Sequence, residues 1–110
     1  MENDQKKYEL ILAIVNKGYT DLVMNAAYSQ GSKGGTITVA RGTGNPELTK
    51  FYGINIQPEK EIVFIVVERE IKDSVMKKIY DDAGLATQGH GIVLSLPITE
   101  AIGLTPVEQE

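Results

Sequence analysis

Two stretches of this chain, Leu10-Ile-Leu-Ala-Ile-Val15 and Ile62-Val-Phe-Ile-Val-Val67, are apolar at every consecutive position. That pattern is the tightest constraint on how the chain can fold. Each run is far shorter than the ~20 residues a membrane-crossing helix needs. Each is rich in β-branched residues, and breakers such as Asn16-Lys-Gly18 bound the first, so both read as strands. Successive side chains of a strand point to opposite faces. A strand that is apolar throughout must therefore be covered on both, because a bare face would expose an apolar patch of several hundred Å².

The rest of the chain supplies cover for one side. The first strand spans Tyr8 to Val15. Thr20 or Asp21 is placed to cap a helix running to about Gln30, with Leu22, Val23, Ala26 and Ala27 on one face. Gly31-Ser-Lys-Gly-Gly35 ends it, and Thr36–Ala40 alternates polar and apolar residues as a second strand should. Residues 42–58 carry Gly and Pro at both ends and read as one long loop, a length that in compact domains usually marks function or disorder. Glu61–Val67 is the third strand. Ile71, Val75, Met76, Ile79, Tyr80 and Ala83 form the stripe of a second helix ending at Gly84, and Ile92–Leu96 is a last strand stopped by Pro97. The order βαββαβ is the ferredoxin-like split βαβ arrangement of the α+β class. Right-handed crossovers put both helices on the same face of the sheet. The other face calls for self-association, unless these are edge strands that merely tolerate surface apolar residues. The domain is expected over residues 8–105, with polar tails at 1–7 and 106–110.

Composition removes several function classes. At 110 residues the chain fits one domain. With 11 basic against 15 acidic residues, its formal charge of -4 argues against a nucleic-acid partner. The absence of cysteine and the single histidine, His90, exclude thiol catalysis, Cys-based zinc sites and two-histidine metal motifs. No Ser-His-Asp set is available, and Asp81-Asp82 reads as a solvated pair at a helix end, so no enzyme is expected. Residues 1–7 lack signal-peptide character, which predicts a cytoplasmic protein. Two turns invite a ligand: Gly42-Thr43-Gly44 and Gly89-His90-Gly91 let backbone amides approach an anion without obstruction by a Cβ. Ordinary strand-end turns explain them equally well. Arg41, Lys50 and Lys60 are the cations nearest them in sequence, and Phe51 and Tyr52 in the loop have the character of interface anchors.

Several segments carry a family resemblance in the right order. Gly35-Thr-Ile-Thr-Val-Ala-Arg-Gly-Thr-Gly44 is similar to a strand entering a Gly-x-Gly turn at the base of a long loop. Glu47-Leu-Thr-Lys-Phe-Tyr-Gly53 sits inside that loop, Thr87-Gln-Gly-His-Gly91 occupies a second glycine loop, and Leu96-Pro-Ile-Thr-Glu-Ala-Ile-Gly-Leu104 closes the domain. From Tyr8 to Leu104 the chain resembles the PII signal-transduction family. The resemblance implies a homotrimer that binds an adenine nucleotide (AMP, ADP or ATP) or a small anion in inter-subunit clefts. The T-loop, residues 45–59, would then engage a target protein, with membrane transporters among the typical targets. It implies a ligand set of Thr36 at the base and Arg41, Gly42, Thr43, Gly44, Lys60, Gly89, His90 and Gly91 around the anion, with Lys50, Phe51 and Tyr52 on the partner-binding loop. The chain departs from the family where phosphate-gripping cations are expected: Asn45, Ile92, Gly103 and Thr105 replace them, and Pro46 replaces a glutamine. Each charge-assisted hydrogen bond lost costs about 1.5–3 kcal/mol, which favours ligands of lower charge than a triphosphate. The competing readings are a small-molecule or metal-tolerance module of the same fold and an acyl-phosphatase-like enzyme. The long loop between strands two and three favours the PII reading over both.

Overall fold

The computed structural model describes residues 7–43, 59–86 and 91–104. Its elements run β1 (Tyr8–Asn16), α1 (Thr20–Ser29), β2 (Thr36–Arg41), β3 (Glu59–Glu68), α2 (Arg69–Asp82) and β4 (Gly91–Pro97). The strands form one antiparallel sheet in the order β2-β3-β1-β4. This is the expected ferredoxin-like α+β fold. The two all-apolar runs occupy its centre, with Ile11 opposite Ile65 and Leu12 opposite Phe64.

Burial along β1 alternates strictly between buried and half-buried residues, so its two faces have different cover. Ile11, Ala13 and Val15 of β1 and Val63, Ile65 and Val67 of β3 are buried against the helices. Val23, Met24, Ala26 and Ala27 of α1 meet them from above, joined by Val75 and Ile79 of α2 and by Ala83 and Leu85 beyond it. The helices also pack against each other, so both lie on one face of the sheet, as the crossover rule requires. The opposite face carries three registered rows: Leu10 between Val66 and Leu96, Leu12 between Phe64 and Leu94, and Ile14 between Ile62 and Ile92. None of these is fully buried, and Val66, Ile92 and Leu96 are exposed.

Local chemistry adjusts several expected details. Neither Thr20 nor Asp21 caps α1; Tyr19 occupies the cap without a side-chain hydrogen bond, its N–H donating to the Asn16 carbonyl at 3.2 Å. Leu22, expected to face inward, is exposed, and Met24 takes the core position. Tyr80 of the α2 stripe is likewise half-exposed. The glycine stops behave as read. Gly31 and Gly84 adopt positive φ, and bonds from Ser32 N–H to Ala27 O and from Leu85 N–H to Tyr80 O close Schellman-type ends. Asp81 and Asp82, at the end of α2, form ion pairs with Lys77 and Lys78 one turn back. Asp81 holds the Lys77 ammonium above the usual lysine range, first by hydrogen bonding and then by charge. Pro97 does not stop β4 but is its last residue, opposite Glu9. β3 begins at Glu59 rather than Glu61, so Glu59 belongs to the sheet and not to the loop expected over 45–59.

Candidate functional site

Arg41, Gly42, Thr43, Lys60 and Gly91 lie at the end of the sheet where four strand ends come together. β2 ends at Arg41, opposite Glu59 at the start of β3. Lys60 pairs in register with Asn16 at the end of β1, and Val15 pairs with Gly91 at the start of β4. The root of the β2–β3 connection therefore lies beside the β1–α1 turn. Three successive residues of β3 fasten to that turn. Glu59 accepts the Lys17 backbone N–H at its carbonyl (3.3 Å) and pairs its carboxylate with Lys17 Nζ (3.2 Å). Lys60 Nζ donates to Asn16 Oδ1 at 2.6 Å, and Gly18 N–H donates to Glu61 Oε1 at 3.1 Å. A cleft of about 470 Å³ opens here, lined by Lys17, Val39, Ala40, Arg41, Glu59, Lys60 and Glu61. Val39, at 76% exposure, is an apolar side chain that neither helix covers.

Sequence reasoning identified part of this set. Arg41 and Lys60 line the cleft, and Gly42 and Thr43 follow directly from its wall. Lys17, Val39, Glu59 and Glu61 were not anticipated as site residues. The signal available was the Glu59-Lys-Glu61 run immediately before an apolar strand, which places alternating charge at the mouth of the sheet. Thr36 is not brought to this cleft. It starts β2 on the helix-free face, in register with Phe64, about 17 Å from Arg41 at the rise of a strand. Gly91 lies at the same end of the sheet, but β3 and β1 stand between β2 and β4, which separates it from the Arg41 turn by about 14 Å. Its glycine has a packing cause: φ is +139°, and a Cβ there would run into the Ile14 carbonyl oxygen and lie 3.1 Å from Val15 Cα. Gly44, Lys50, Phe51, Tyr52, Gly89 and His90 fall outside the described residues.

Among the described residues, no cluster of three His, Asp or Glu side chains could hold a metal ion. No described helix is long and apolar enough to cross a membrane.

A four-stranded antiparallel sheet with two helices on one face, and a charged cleft at the root of a long β2–β3 connection, places this molecule among α+β ferredoxin-like domains. The model of the nitrogen regulatory protein P-II family matches residues 8–108, and the chain belongs to that family. It is a signal-transduction regulator of the PII type. Among solved structures, the crystal structure of Arabidopsis thaliana PII bound to citrate superposes with a TM-score of 0.67 at 24% identity, over 88% of this chain and 82% of that one. That likeness shows a common fold. No curated protein matches the sequence significantly.

Proposed function

We propose that this chain works as a homotrimer that holds a small ligand in clefts between subunits and reaches a target protein through residues 45–58. The observation that carries the proposal is the helix-free face of the sheet, three rows of Leu, Ile, Val and Phe over which neither helix packs and of which Val66, Ile92 and Leu96 are exposed. Water contact across such a face is costly at roughly 25 cal/mol per Å², and symmetric self-association removes it. Strand order supports an inter-subunit ligand site. Arg41 and Gly91 lie about 14 Å apart in one chain, too far for a single phosphate or carboxylate group to touch both. A ligand gripped by both takes one turn from each of two neighbours.

The ligand class that best fits is an adenine nucleotide or a small anion. Arg41 and Lys60 supply charge, and Gly42, Thr43 and Gly44 supply backbone donors. Gly89, His90 and Gly91 close the cleft from the adjacent subunit. The citrate bound by the plant PII protein adds tricarboxylates to the candidates. The output is a protein target, with a membrane transporter as the class the family suggests and the cytoplasm as the place of action. No reaction is assigned.

Light scattering at low micromolar concentration, combined with a thermal-shift screen of AMP, ADP, ATP, bicarbonate, 2-oxoglutarate and citrate, tests this directly. We expect a trimer, and a rise in stability of about 2.7 kcal/mol at a hundredfold excess of ligand over its Kd. A 12.0 kDa monomer that none of these ligands stabilises would refute the proposal.

A further inference from the structure

We infer that Glu59 and Glu61 are specificity-determining residues that tune the cleft to a ligand presenting a single anionic group and turn polyphosphates away. The inference rests on the ligand site proposed above and specifies what enters it. The cleft is lined by three cations, Lys17, Arg41 and Lys60, and by two carboxylates, Glu59 and Glu61, leaving one net positive charge. The cations are not equally available. Lys17 is paired with Glu59 at 3.2 Å, and Lys60 is committed to Asn16 Oδ1 at 2.6 Å. Among the described residues, Arg41 is the lining cation for which no such partner is found. A guanidinium grips one carboxylate- or phosphate-sized group bidentately. Among the described residues, a second and third phosphate would meet only Lys17 and Lys60, each already bonded to a neighbour, and would lie close to two carboxylates.

Each of the two glutamates has a partner on the β1–α1 turn. Glu59 is tied to Lys17 through both its backbone carbonyl and its side chain, and Glu61 accepts the Gly18 N–H. Exposed Val39 beside Arg41 gives the ligand an apolar contact without adding charge. The cleft is therefore built for one anionic group attached to a body with some apolar surface.

Calorimetric titration with AMP, ADP and ATP, in Mg²⁺-free buffer at fixed ionic strength, tests the idea on the parent chain and on Glu59→Gln, Glu61→Gln and Arg41→Gln. In the parent, AMP should bind at least as tightly as ATP. Each Glu→Gln change should raise the ATP:AMP affinity ratio about fivefold to tenfold, as expected for removing one partly exposed charge from a multiply charged ligand. The gain should shrink as salt is raised. Glu61→Gln is the cleaner variant, since a glutamine oxygen can still accept the Gly18 N–H and only the charge is lost. A ratio that stays within twofold of the parent in both variants, while Arg41→Gln weakens all three nucleotides, overturns the inference and leaves the ligand site standing. If none of the three nucleotides binds the parent or any variant, the inference falls, and the ligand site then rests on the thermal-shift screen with bicarbonate, 2-oxoglutarate and citrate. Nucleotide binding indifferent to Arg41→Gln also overturns the inference, because the anion then sits elsewhere.

Discussion

Gly91 shows how a single position is read differently once its neighbours are known. As a sequence, Gly89-His-Gly91 looks like a place for an anion to approach the backbone. In the fold, Gly91 is the first residue of β4, and the Ile14 carbonyl of β1 occupies the space a side chain would need. Its φ of +139° would also strain any L side chain. Gly91→Ala should therefore destabilise the protein by about 2–3 kcal/mol, combining backbone strain with overpacking. The denaturation midpoint measured by urea titration should drop by the same amount whether or not ligand is present. A variant as stable as the parent would show that packing against Ile14 and Val15 does not require glycine here.

At the scale of elements, the β2–β3 hairpin is framed at its base by the Arg41–Glu59 register pair and by the fastening of Glu59, Lys60 and Glu61 to the β1–α1 turn. Those bonds belong to the sheet and do not need residues 47–56. Replacing Glu47–Ile56 by a short Gly-Ser bridge should leave assembly size and ligand affinity within about twofold of the parent, since closure entropy changes only slowly with the length of a connection. Co-purification with the cellular target should be lost. Global unfolding of the deletion variant, seen by circular dichroism, would mean the segment contributes to the core and not to signalling. α2 shows a different kind of fastening. Its first turn lacks a side-chain cap, and the Arg69 N–H donates to the Lys7 carbonyl at 2.8 Å. The nearly buried Glu9 carboxylate accepts from Arg69 Nε at 3.0 Å, pinning the helix start to β1.

For the whole molecule, the decisive feature is that adjacent residues of β3 answer to different partners. Ile65 is fully buried against the helices, whereas Phe64 lies on the helix-free face between Thr36 and Leu12. Ile65→Asp should prevent folding, because an unpaired charge would enter a closed core. Phe64→Asp should instead give a folded chain of monomer size, since the charge meets water until a second copy tries to dock. Circular dichroism and light scattering on the two variants separate these outcomes. A Phe64→Asp protein that still runs as a trimer would show that this face is not the one covered by assembly.

The order of elements, the two central strands and the glycine helix stops were legible in the residues alone, because each depends on local periodicity or on a backbone conformation that few residues adopt. So was the need for cover on both sides of the sheet, which follows from the apolar runs Leu10–Val15 and Ile62–Val67 without any coordinates. Boundaries were less legible. Pairing across the sheet extends β3 back to Glu59 and carries β4 through Pro97, and no local signal reports a partner strand. The candidate site was half legible. Arg41 and Lys60 flank the glycine turn and the loop in sequence, whereas Lys17, Glu59 and Glu61 join them only because antiparallel pairing folds the end of β1 against the start of β3. The separation of Thr36 from Arg41, and of Gly91 from both, is likewise set by strand length and strand order. A linear chain records which side chains are present and how they alternate. Which of them share a cleft, and which of two neighbouring apolar residues faces the core, is decided by pairing between segments distant in sequence, and that exists only in the tertiary structure.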